Sequence, residues 1–209
     1  IGEIQGGIQK QPQRRPDKNR YPFLRVANVL RGRLDLREVH EIELFHGELE
    51  RLRLKTGDLL VVEGNGSPTE IGRSAIWLGE IINCVHQNHI IRVRPLKLRP
   101  EYLNSYWNSP AGTRRIMEVA ASTSGLYTLS VSKVSALPIP VPPFQEQKQI
   151  VDEVENQLSV VDHLKNEIDT NLNRSARLRQ AILKRAFEGR LVPQDAASGT
   201  PQPCRPFSA

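Results

Sequence analysis

Thiol and imidazole groups are concentrated between Cys84 and His89, where the chain reads Cys-Val-His-Gln-Asn-His. Both groups are good zinc ligands, but a structural zinc site needs four of them. No fourth ligand stands close by, and along a strand Cys84, His86 and Asn88 share one face while His89 lies on the other. We therefore interpret the segment as a strand with mixed faces, and we predict no bound metal or other cofactor.

A proline pair followed by an aromatic residue, Pro142-Pro143-Phe144, is a second candidate for chemistry. In amino-directed DNA methyltransferases such a motif follows an Asn, Asp or Ser that accepts hydrogen bonds from the target amine, and the ring stacks on the flipped base. Here the preceding residue is Val141, which has no acceptor, and no glycine-rich strand-loop-helix is present to hold a methyl donor. The pattern therefore argues against methyl transfer.

Two further stretches could contact phosphate groups. Gly64-Asn65-Gly66-Ser67 could present backbone amides, but it lacks the lysine and the helix start of a nucleotide-binding loop, which favours a tight turn that can still contact a phosphate. The basic run Arg92, Arg94, Lys97 and Arg99 is either a solvated strand face or a strip of phosphate contacts. Residue type alone does not separate these two interpretations.

The charge of the chain favours an anionic partner. Its 209 residues include 29 Lys and Arg against 23 Asp and Glu, a formal net charge of +6. A field of this sign attracts polyanions such as nucleic acid. No apolar run approaches the roughly 20 residues that cross a bilayer, so we expect no membrane segment.

Cysteine usage bears on the cellular compartment. Cys84 and Cys204 lie far apart, and the chain has no charged-then-apolar signal sequence, so we expect a cytoplasmic protein without disulfides. Because the chain begins at Ile1 and not with Met, we also expect a fragment, or a chain whose start has been removed.

The first two thirds of the chain predict a globular domain. Residues 10–20 are rich in Gln, Pro and Arg without a hydrophobic period, which predicts an exposed, partly flexible basic loop within residues 1–20. From Tyr21 to about Pro140, short apolar runs bounded by Gly, Asn and Pro predict strands of a mixed sheet, with helices near 100–108 and 111–121. The predicted strands are 23–26, 58–63, 75–78 and 89–94.

The composition changes abruptly at 137–143, Leu-Pro-Ile-Pro-Val-Pro-Pro. This segment cannot be helical because each proline removes an amide donor, so it predicts a stiff hinge. From Phe144 the chain has no Gly or Pro until Gly189, which suits a left-handed helix cap. We therefore predict one long helix, followed by a disordered tail at 193–209.

Apolar residues in this helix recur in eight steps over 28 residues, a mean of about 3.5, which is the spacing of a coiled coil. The helix would be about 65 Å long at about 1.5 Å per residue, and it cannot bury its own apolar face. It therefore requires a partner helix. The predicted pairing residues are Val154, Leu158, Val161, Leu164, Ile168, Leu172, Leu178 and Ile182, with Ser175 in register.

Several segments occur in a characteristic order: 54–61, 66–67, 71–73, 87–95, 127–130, 139–151 and 183–191. In order and spacing they resemble the successive motifs of type I restriction-modification specificity subunits. The earlier segments resemble a target-recognition domain, and the last two resemble the start and the end of the conserved helix. The resemblance extends from about Ile4 to Val192.

The resemblance implies an α+β fold, in which a mixed-sheet globular DNA target-recognition domain (1–140) is followed by one long coiled-coil helix for spacing and dimerisation (141–192). It implies recognition of double-stranded DNA without catalysis. Specificity subunits carry two such domains separated by two antiparallel helices, which set the distance between half-sites and dock modification subunits, with restriction subunits as further partners. This chain has one domain and one helix, so it would be a fragment or a half subunit that pairs as an antiparallel homodimer.

Reading a base sequence requires polar side chains at base edges, whereas Lys and Arg on phosphates only fix position. The polar loops are therefore the expected site. A role in turns or caps is the alternative for every Ser, Thr and Asn. The candidate base contacts are Asn65, Ser67, Arg73, Gln87, Asn88, Ser122, Thr123, Ser124 and Tyr127, and the candidate phosphate contacts are Arg14, Arg15, Lys18, Arg20, Arg114 and Arg115.

Two other classes of protein remain open at this point. One is the recognition domain of a fused single-chain restriction-modification enzyme, whose catalytic domains would lie upstream of Ile1. The other is a coiled-coil scaffold whose globular head binds protein and not DNA, in which case the basic loop is incidental.

Overall fold

The structure, a computed structural model, describes residues 2–65, 67, 70–123 and 126–192. The chain divides into two compact units, unit 1 (Ile1–Glu155) and unit 2 (Asn156–Ala209). The strands are β1 (Gly2–Gly6), β2 (Arg20–Leu24), β3 (His40–Glu43), β4 (Leu59–Val62), β5 (Gly64–Asn65), β6 (Ser74–Ile76), β7 (Val85–His86), β8 (Ile90–Pro95), β9 (Ala121–Thr123) and β10 (Leu126–Thr128). The helices are α1 (Glu48–Leu52), α2 (Pro100–Asn108), α3 (Pro110–Val119), α4 (Val131–Ala136) and α5 (Phe144–Phe187).

The main sheet of unit 1 has the order β1-β8-β4-β6, and all its neighbours are antiparallel. Side chains alternate between the two faces of a strand. Leu59 and Val61 of β4 enter a core with α2 and α3, whereas Leu60 and Val62 enter a second core with Trp77. Both faces of β4 are therefore buried, which explains why this strand reads as an unbroken apolar run.

The remaining strands form two smaller sheets. β2 pairs with β3 antiparallel and with β7 parallel, and this mixed sheet covers a third core that contains Phe23 and Ile42. β5, β10 and β9 form a separate antiparallel sheet. The predicted α+β class, with a globular unit followed by one long helix, is confirmed. Three of the four predicted strands lie in the antiparallel main sheet as β4, β6 and β8, and the fourth lies as β2 in the β3-β2-β7 sheet, which is the mixed sheet among the described residues.

The beginning of the chain differs from the predicted basic loop. Residues 2–6 form an edge strand against β8, and Ile8 is buried and bridges to Gln87. Gly2 permits the close approach of β1, since a Cβ atom there would lie 2.7 Å from the Arg94 carbonyl oxygen. The loop is therefore limited to 9–19.

The basic run on β8 is largely internal. Arg92 is 3% exposed and donates to Gln5 Oε1 at 2.6 Å. Arg94 makes a two-point pair with the fully buried Asp58, with Nε–Oδ1 and Nη2–Oδ2 distances of 2.7 and 2.8 Å. Neither arginine lies on a solvated face or a phosphate strip, whereas Lys97, beyond the end of β8, is exposed. Both predicted alternatives, a solvated strand face and a strip of phosphate contacts, are therefore wrong for Arg92 and Arg94.

The predicted helices are confirmed. Prolines occupy the first position of α2 and of α3, where the missing amide costs no hydrogen bond. α5 runs without interruption, and Gly189, with φ of 68°, closes it as predicted through a hydrogen bond from Arg190 N to Arg185 O of 2.8 Å. Among the helices that the structure describes, none has a stretch long and apolar enough to cross a bilayer.

His86 supplies a pH-dependent contribution to stability. The ring is fully buried, its Nδ1 lies 3.0 Å from the Ile90 carbonyl oxygen, and burial, aided by the charge of Arg92, lowers its pKa to about 4. The folded chain therefore keeps His86 neutral between pH 6.5 and 4, while the unfolded chain binds a proton there. Its contribution to stability is complete above pH 6.5 and is lost as the pH falls.

We expect the free energy of unfolding of the wild-type chain to fall by about 2 kcal/mol from pH 7 to pH 5 through this group alone. Urea titrations followed by the fluorescence of the buried Trp77 and Trp107 measure it. His86→Gln should flatten the dependence, and His163→Gln, on an exposed part of α5, should retain it. A wild-type chain that is equally stable at both pH values would contradict the assignment.

Candidate nucleic-acid interface

Two loops that are far apart in the sequence meet in the β5-β10-β9 sheet. The backbone of Tyr127 lies opposite Asn65 on one side and opposite Ser122 on the other. All three are predicted base contacts, and strand pairing brings their backbones to one place. The position of this sheet at the end of β4 follows from the chain, because β5 begins two residues after β4 ends.

The other predicted residues of these loops lie close by in the sequence. Ser67 follows β5 by two residues, and Thr123 is the last residue of β9. Tyr127 is half-buried on β10. Ser124 lies outside the described residues.

Glu63 joins this sheet to the turn that contains Asn88. Its N–H donates to the His89 carbonyl oxygen at 2.9 Å, and its own carbonyl accepts from Leu129 N at 2.7 Å. Its carboxylate lies 3.0 Å from Nδ1 of His89. The 87–89 turn and the end of β10 are therefore held side by side, with Asn88 half-buried between its neighbours.

The basic loop 9–19 leaves the domain at the same place. Ile8 N donates to the His86 carbonyl oxygen at 2.8 Å, and Asn88 N donates to the Ile8 carbonyl oxygen at 2.9 Å. The loop therefore starts beside the Asn88 turn. The turn, the β5-β10-β9 sheet and the start of the loop form one edge of unit 1, which we call the polar edge.

Two carboxylates anchor the basic loop. Arg14 makes a two-point ion pair with Glu48, both bonds 2.8 Å long, and its guanidinium lies 4.7 Å from the centre of the Phe45 ring. Hydrogen bonding from Arg14 lowers the pKa of Glu48 to about 2. Glu43 accepts the amides of Asp17 and Asn19 at 2.8 and 2.9 Å. Arg14 therefore holds the loop in place, with both Nη atoms bound to Glu48.

Three other basic residues on this side of unit 1 are exposed, Arg15 and Lys18 in the loop and Arg20 at the start of β2. The only ion pair of Arg20 among the described residues is a 3.9 Å approach to Glu41. Between the loop and β3 lies an open cleft of about 1010 Å³, with Arg15 on one wall. This face of unit 1 has the exposed positive charge that a phosphate backbone requires.

Arg73 is buried and Gln87 is half-buried, and both contact the segment after β2. Arg73 is 9% exposed and donates to the carbonyl oxygens of Val29 and Val26 at 2.7 and 3.1 Å. Gln87 accepts from Val26 N at 3.4 Å with its side chain, and its backbone N–H donates to Leu24. Because both side chains fix the segment after β2, we leave them out of the proposed interface.

Arg114 and Arg115 lie on the exposed side of α3. The opposite side presents Ile116 to Gly72, where a Cβ atom would lie 2.7 Å from Ile116 Cγ2. Trp107 donates from Nε1 to the Gly72 carbonyl oxygen at 2.8 Å. α3 is therefore packed on the turn that precedes β6.

The predicted strand from Cys84 to His89 is confirmed only for Val85 and His86, which form β7, because the chain turns at 87–89. Cys84 is buried, and burial raises the pKa of its thiol to about 12. Within the described ranges, no three His, Cys, Asp or Glu side chains are arranged to hold a metal ion. The neutral thiol and the buried imidazole are core residues.

The hinge ends in a clamp on the start of α5. Gln147 is 1% exposed; its Oε1 accepts from Arg99 N at 2.8 Å, and its Nε2 donates to the Pro142 carbonyl oxygen at 2.9 Å. The Arg99 guanidinium lies 4.4 Å from the centre of the Phe144 ring. The first turns of α5 are thereby fixed to the start of α2 within unit 1.

Comparison with known proteins identifies the family. Residues 1–174 match the family model described as the type I restriction modification DNA specificity domain. The match covers most of the chain, and the chain therefore belongs to this family.

Curated relatives carry the same designation. The chain is 29% identical over 196 residues to the specificity subunit of the type I restriction enzyme EcoKI from Escherichia coli K12, covering 93% of this chain and 42% of the relative. It is 27% identical over 180 residues to the StySPI specificity subunit from Salmonella potsdam, covering 84% and 38%. The chain thus spans about two fifths of the length of these relatives.

Solved structures have the same fold. A type I restriction-modification complex contains a chain with a TM-score of 0.64 and 21% identity, covering 91% of this chain and 44% of that one. The HsdS subunit from Thermoanaerobacter tengcongensis gives a TM-score of 0.59 at 18% identity, covering 88% and 46%.

Sequence reasoning missed Glu63 and Glu48, which organise the polar edge, and Gln147, which fixes the start of α5. Each acts through a partner at least 26 positions away. For Gln147 a signal existed, since a glutamine directly after a proline hinge and on the buried side of a helix start needs polar partners. For Glu63 and Glu48 the sequence contains no such signal, because their partners are brought near them only by the fold.

The role of Arg73 can be tested by stability. Arg73→Leu leaves two backbone carbonyls without their donor, and we expect the free energy of unfolding to fall by about 2–4 kcal/mol. The exposed Arg114→Leu should change it by less than about 0.5 kcal/mol. Urea unfolding of both variants measures the difference. If Arg73→Leu is as stable as the wild-type chain and prefers a different DNA sequence, Arg73 contacts DNA and does not stabilise the fold.

Proposed function

We propose that this chain recognises a specific sequence in double-stranded DNA through the polar edge of unit 1, and that it does so as a non-catalytic component of a type I restriction-modification enzyme. The observation that carries the proposal is the meeting of Asn65, Ser122, Tyr127 and the Asn88 turn at one edge, beside an exposed basic loop. Membership of the specificity-domain family supports the same conclusion.

Two groups of residues in the proposed interface have different roles. Polar groups on the β5-β10-β9 sheet and the 87–89 turn contact base edges, and exposed cations contact phosphates. Reading bases requires donors and acceptors that are held in fixed positions. The anchoring of the turn by Glu63 and of the loop by Glu43 and Glu48 supports this requirement. The proposed base contacts are Asn65, Ser67, Asn88, Ser122, Thr123, Ser124 and Tyr127, and the proposed phosphate contacts are Arg15, Lys18, Arg20, Arg114 and Arg115.

Chemistry on the DNA would then come from other subunits. In the proposed assembly, modification subunits dock on α5, restriction subunits can join, and a second recognition half pairs with α5 in antiparallel orientation. With 44 residues at about 1.5 Å each, α5 is about 66 Å long, and about 19 base pairs of duplex span the same length. The helix is thus long enough to act as a spacer between half-sites on chromosomal DNA in the cytoplasm.

Selection from a random duplex library tests this function. The purified chain, alone and with a modification subunit, is incubated with the library, and the bound pool is sequenced. We expect enrichment of a short motif. Failure to bind at any salt concentration in either condition would support a protein-binding scaffold instead.

A variant of the loop should weaken all binding equally. Arg15→Ala removes one proposed phosphate contact, and we expect lower affinity for selected and random duplexes alike, with the slope of log K against log salt reduced by about 1. Lys97 lies beyond the other end of β8, so Lys97→Ala removes the same charge and should leave the affinity and the salt slope unchanged. Fluorescence anisotropy at four salt concentrations measures the slopes. Equal effects of the two variants would mean that only net charge matters.

A substitution in the 87–89 turn should change the preference for a base sequence and leave the salt dependence of binding unchanged. Asn88→Ala removes a proposed base contact, and we expect about 5–150-fold weaker binding to the selected duplex, corresponding to about 1–3 kcal/mol, with little change on random DNA. Repeating the selection with the variant should give a relaxed base at one position of the motif. An unchanged motif would exclude Asn88 from base reading.

A further inference from the structure

A second basic segment lies between β2 and β3. Residues 29–34, which we call the arginine hairpin, form a tight turn whose first and last residues are joined by a β-bridge. Gly32 at the tip has a φ of 77°, which favours glycine, and a Cβ atom there would meet nothing within 4 Å. Its neighbours Arg31 and Arg33 are exposed as well. The tip of the hairpin is therefore an exposed basic surface.

Hydrogen bonds within unit 1 hold the hairpin at its base and at its tip. At the base, the buried Arg73 donates to the Val29 carbonyl oxygen at 2.7 Å. Asn28, which is 3% exposed, donates from Nδ2 to two carbonyl oxygens beyond the hairpin, at 2.8 Å each. At the tip, Gly32 N donates to the Ser74 carbonyl oxygen at 2.8 Å. The hairpin is therefore a fixed element, as a contact that positions a protein on a duplex must be.

Arg33 provides the available positive charge of the hairpin. Among the described residues its guanidinium makes no hydrogen bond or ion pair, and it acts on Asp35 only through its charge. Asp35 is bound instead to Arg37, with an Nε–Oδ1 distance of 2.9 Å, and hydrogen bonding from Arg37 lowers the pKa of Asp35 to about 2. The charge of Arg33 is thus left for an anionic ligand such as a phosphate group.

The hairpin lies on the far side of the main sheet from the basic loop 9–19. The loop continues from β1, and three strand spacings separate β1 from β6, against which the hairpin lies as a fourth. Because neighbouring strands are about 4.8 Å apart, the hairpin lies about 19 Å from β1. Ser74 lies opposite Val61, two residues before Glu63, so the hairpin tip is about 7 Å from the polar edge along the strand. The polar edge thus has a basic segment on each side.

The corner between α2 and α3 extends this second basic side. Arg31 donates from Nη1 to Asn108 Oδ1 at 3.4 Å, and Asn108 at the end of α2 donates to the Ser74 carbonyl oxygen at 3.3 Å. The hairpin is therefore next to the start of α3, which carries the exposed Arg114 and Arg115. The hairpin and α3 place positive charge on the same side of unit 1.

We propose that the arginine hairpin is a second phosphate-contacting arm, in which Arg33 binds one DNA strand while the loop 9–19 binds the other strand across the major groove. The inference rests on the proposed function. A major groove is about 12 Å wide, so arms about 19 Å apart stand on the two backbones that border it, while the polar groups between them face the base edges. Contacts on both strands fix the rotation of unit 1 about the duplex as well as its position.

The salt dependence of binding tests the role of Arg33. Arg33→Ala removes an exposed charge and no buried contact, and we expect about 5-fold weaker binding to selected and random duplexes at about 0.15 M salt, with the slope of log K against log salt reduced by about 1. Arg33→Lys keeps the charge and should retain the slope. The matched control Lys55→Ala removes an exposed charge at the opposite end of β4 and should change neither quantity. An unchanged slope in Arg33→Ala, with a wild-type chain that selects a motif, would overturn the hairpin contact alone.

Uncharged phosphates identify the strand that each arm contacts. In the selected duplex, each phosphate in turn is replaced by a neutral methylphosphonate, which weakens binding wherever a cation contacts that phosphate. A variant that lacks this cation no longer responds to the replacement. We expect the response lost in Arg33→Ala to lie on one strand and the response lost in Arg15→Ala to lie on the other. Both losses on the same strand would contradict contact across the groove.

The hairpin contact and the proposed function fail in different ways. A wild-type chain that binds no duplex would refute both. A wild-type chain that binds duplexes without selecting a motif, with the salt slope reduced in Arg33→Ala, would refute sequence recognition and leave the hairpin contact intact.

Discussion

The burial of both faces of β4 and β8 is the constraint on which the arrangement of unit 1 depends. Two cores lie against these strands, so polar groups have room only where the strands end. At one end Asp58 and Arg94 pair with each other, and their charges are satisfied internally. At the other end Glu63 and His89 meet, and the chain continues into the β5-β10-β9 sheet and the Asn88 turn. The polar edge is thus the end of the rigid part of the domain, which is where binding loops are held most firmly.

Residue type was a poor guide to the role of the arginines. Arg14, Arg73, Arg92 and Arg94 each have an internal partner, whereas Arg15 is exposed. A guanidinium has five donors, and it can satisfy a buried carboxylate or two backbone carbonyls as readily as a phosphate. The partners stand at least 34 positions away in the sequence. The neighbouring sequence therefore does not distinguish an arginine with an internal partner from one that contacts phosphate. The net charge of +6 likewise does not indicate which cations face an anionic ligand.

The parts of the fold that could be predicted have local causes. The proline hinge, the heptad spacing and Gly189 define α5 within their own windows, and the apolar runs define β4 and β8. β1 and the β5-β10-β9 sheet could not be predicted, because β1 depends on residues about 90 positions away and β5 pairs with β10 about 60 positions later. For the same reason sequence reasoning could name Asn65, Ser122 and Tyr127 as polar loop residues but could not predict that their backbones are neighbours. Their roles at base edges remain proposals, as does the pairing of α5.

Amide hydrogen exchange of the chain, free and bound to a duplex from the selected pool, tests the location of the interface most directly. We expect slower exchange on binding in the basic loop 9–19, at 63–65, in the 87–89 turn and at 126–128. At the opposite end of the main sheet, at 53–58 and 96–99, exchange should not change. Protection at that opposite end, with none at the polar edge, would show that DNA binds elsewhere on unit 1.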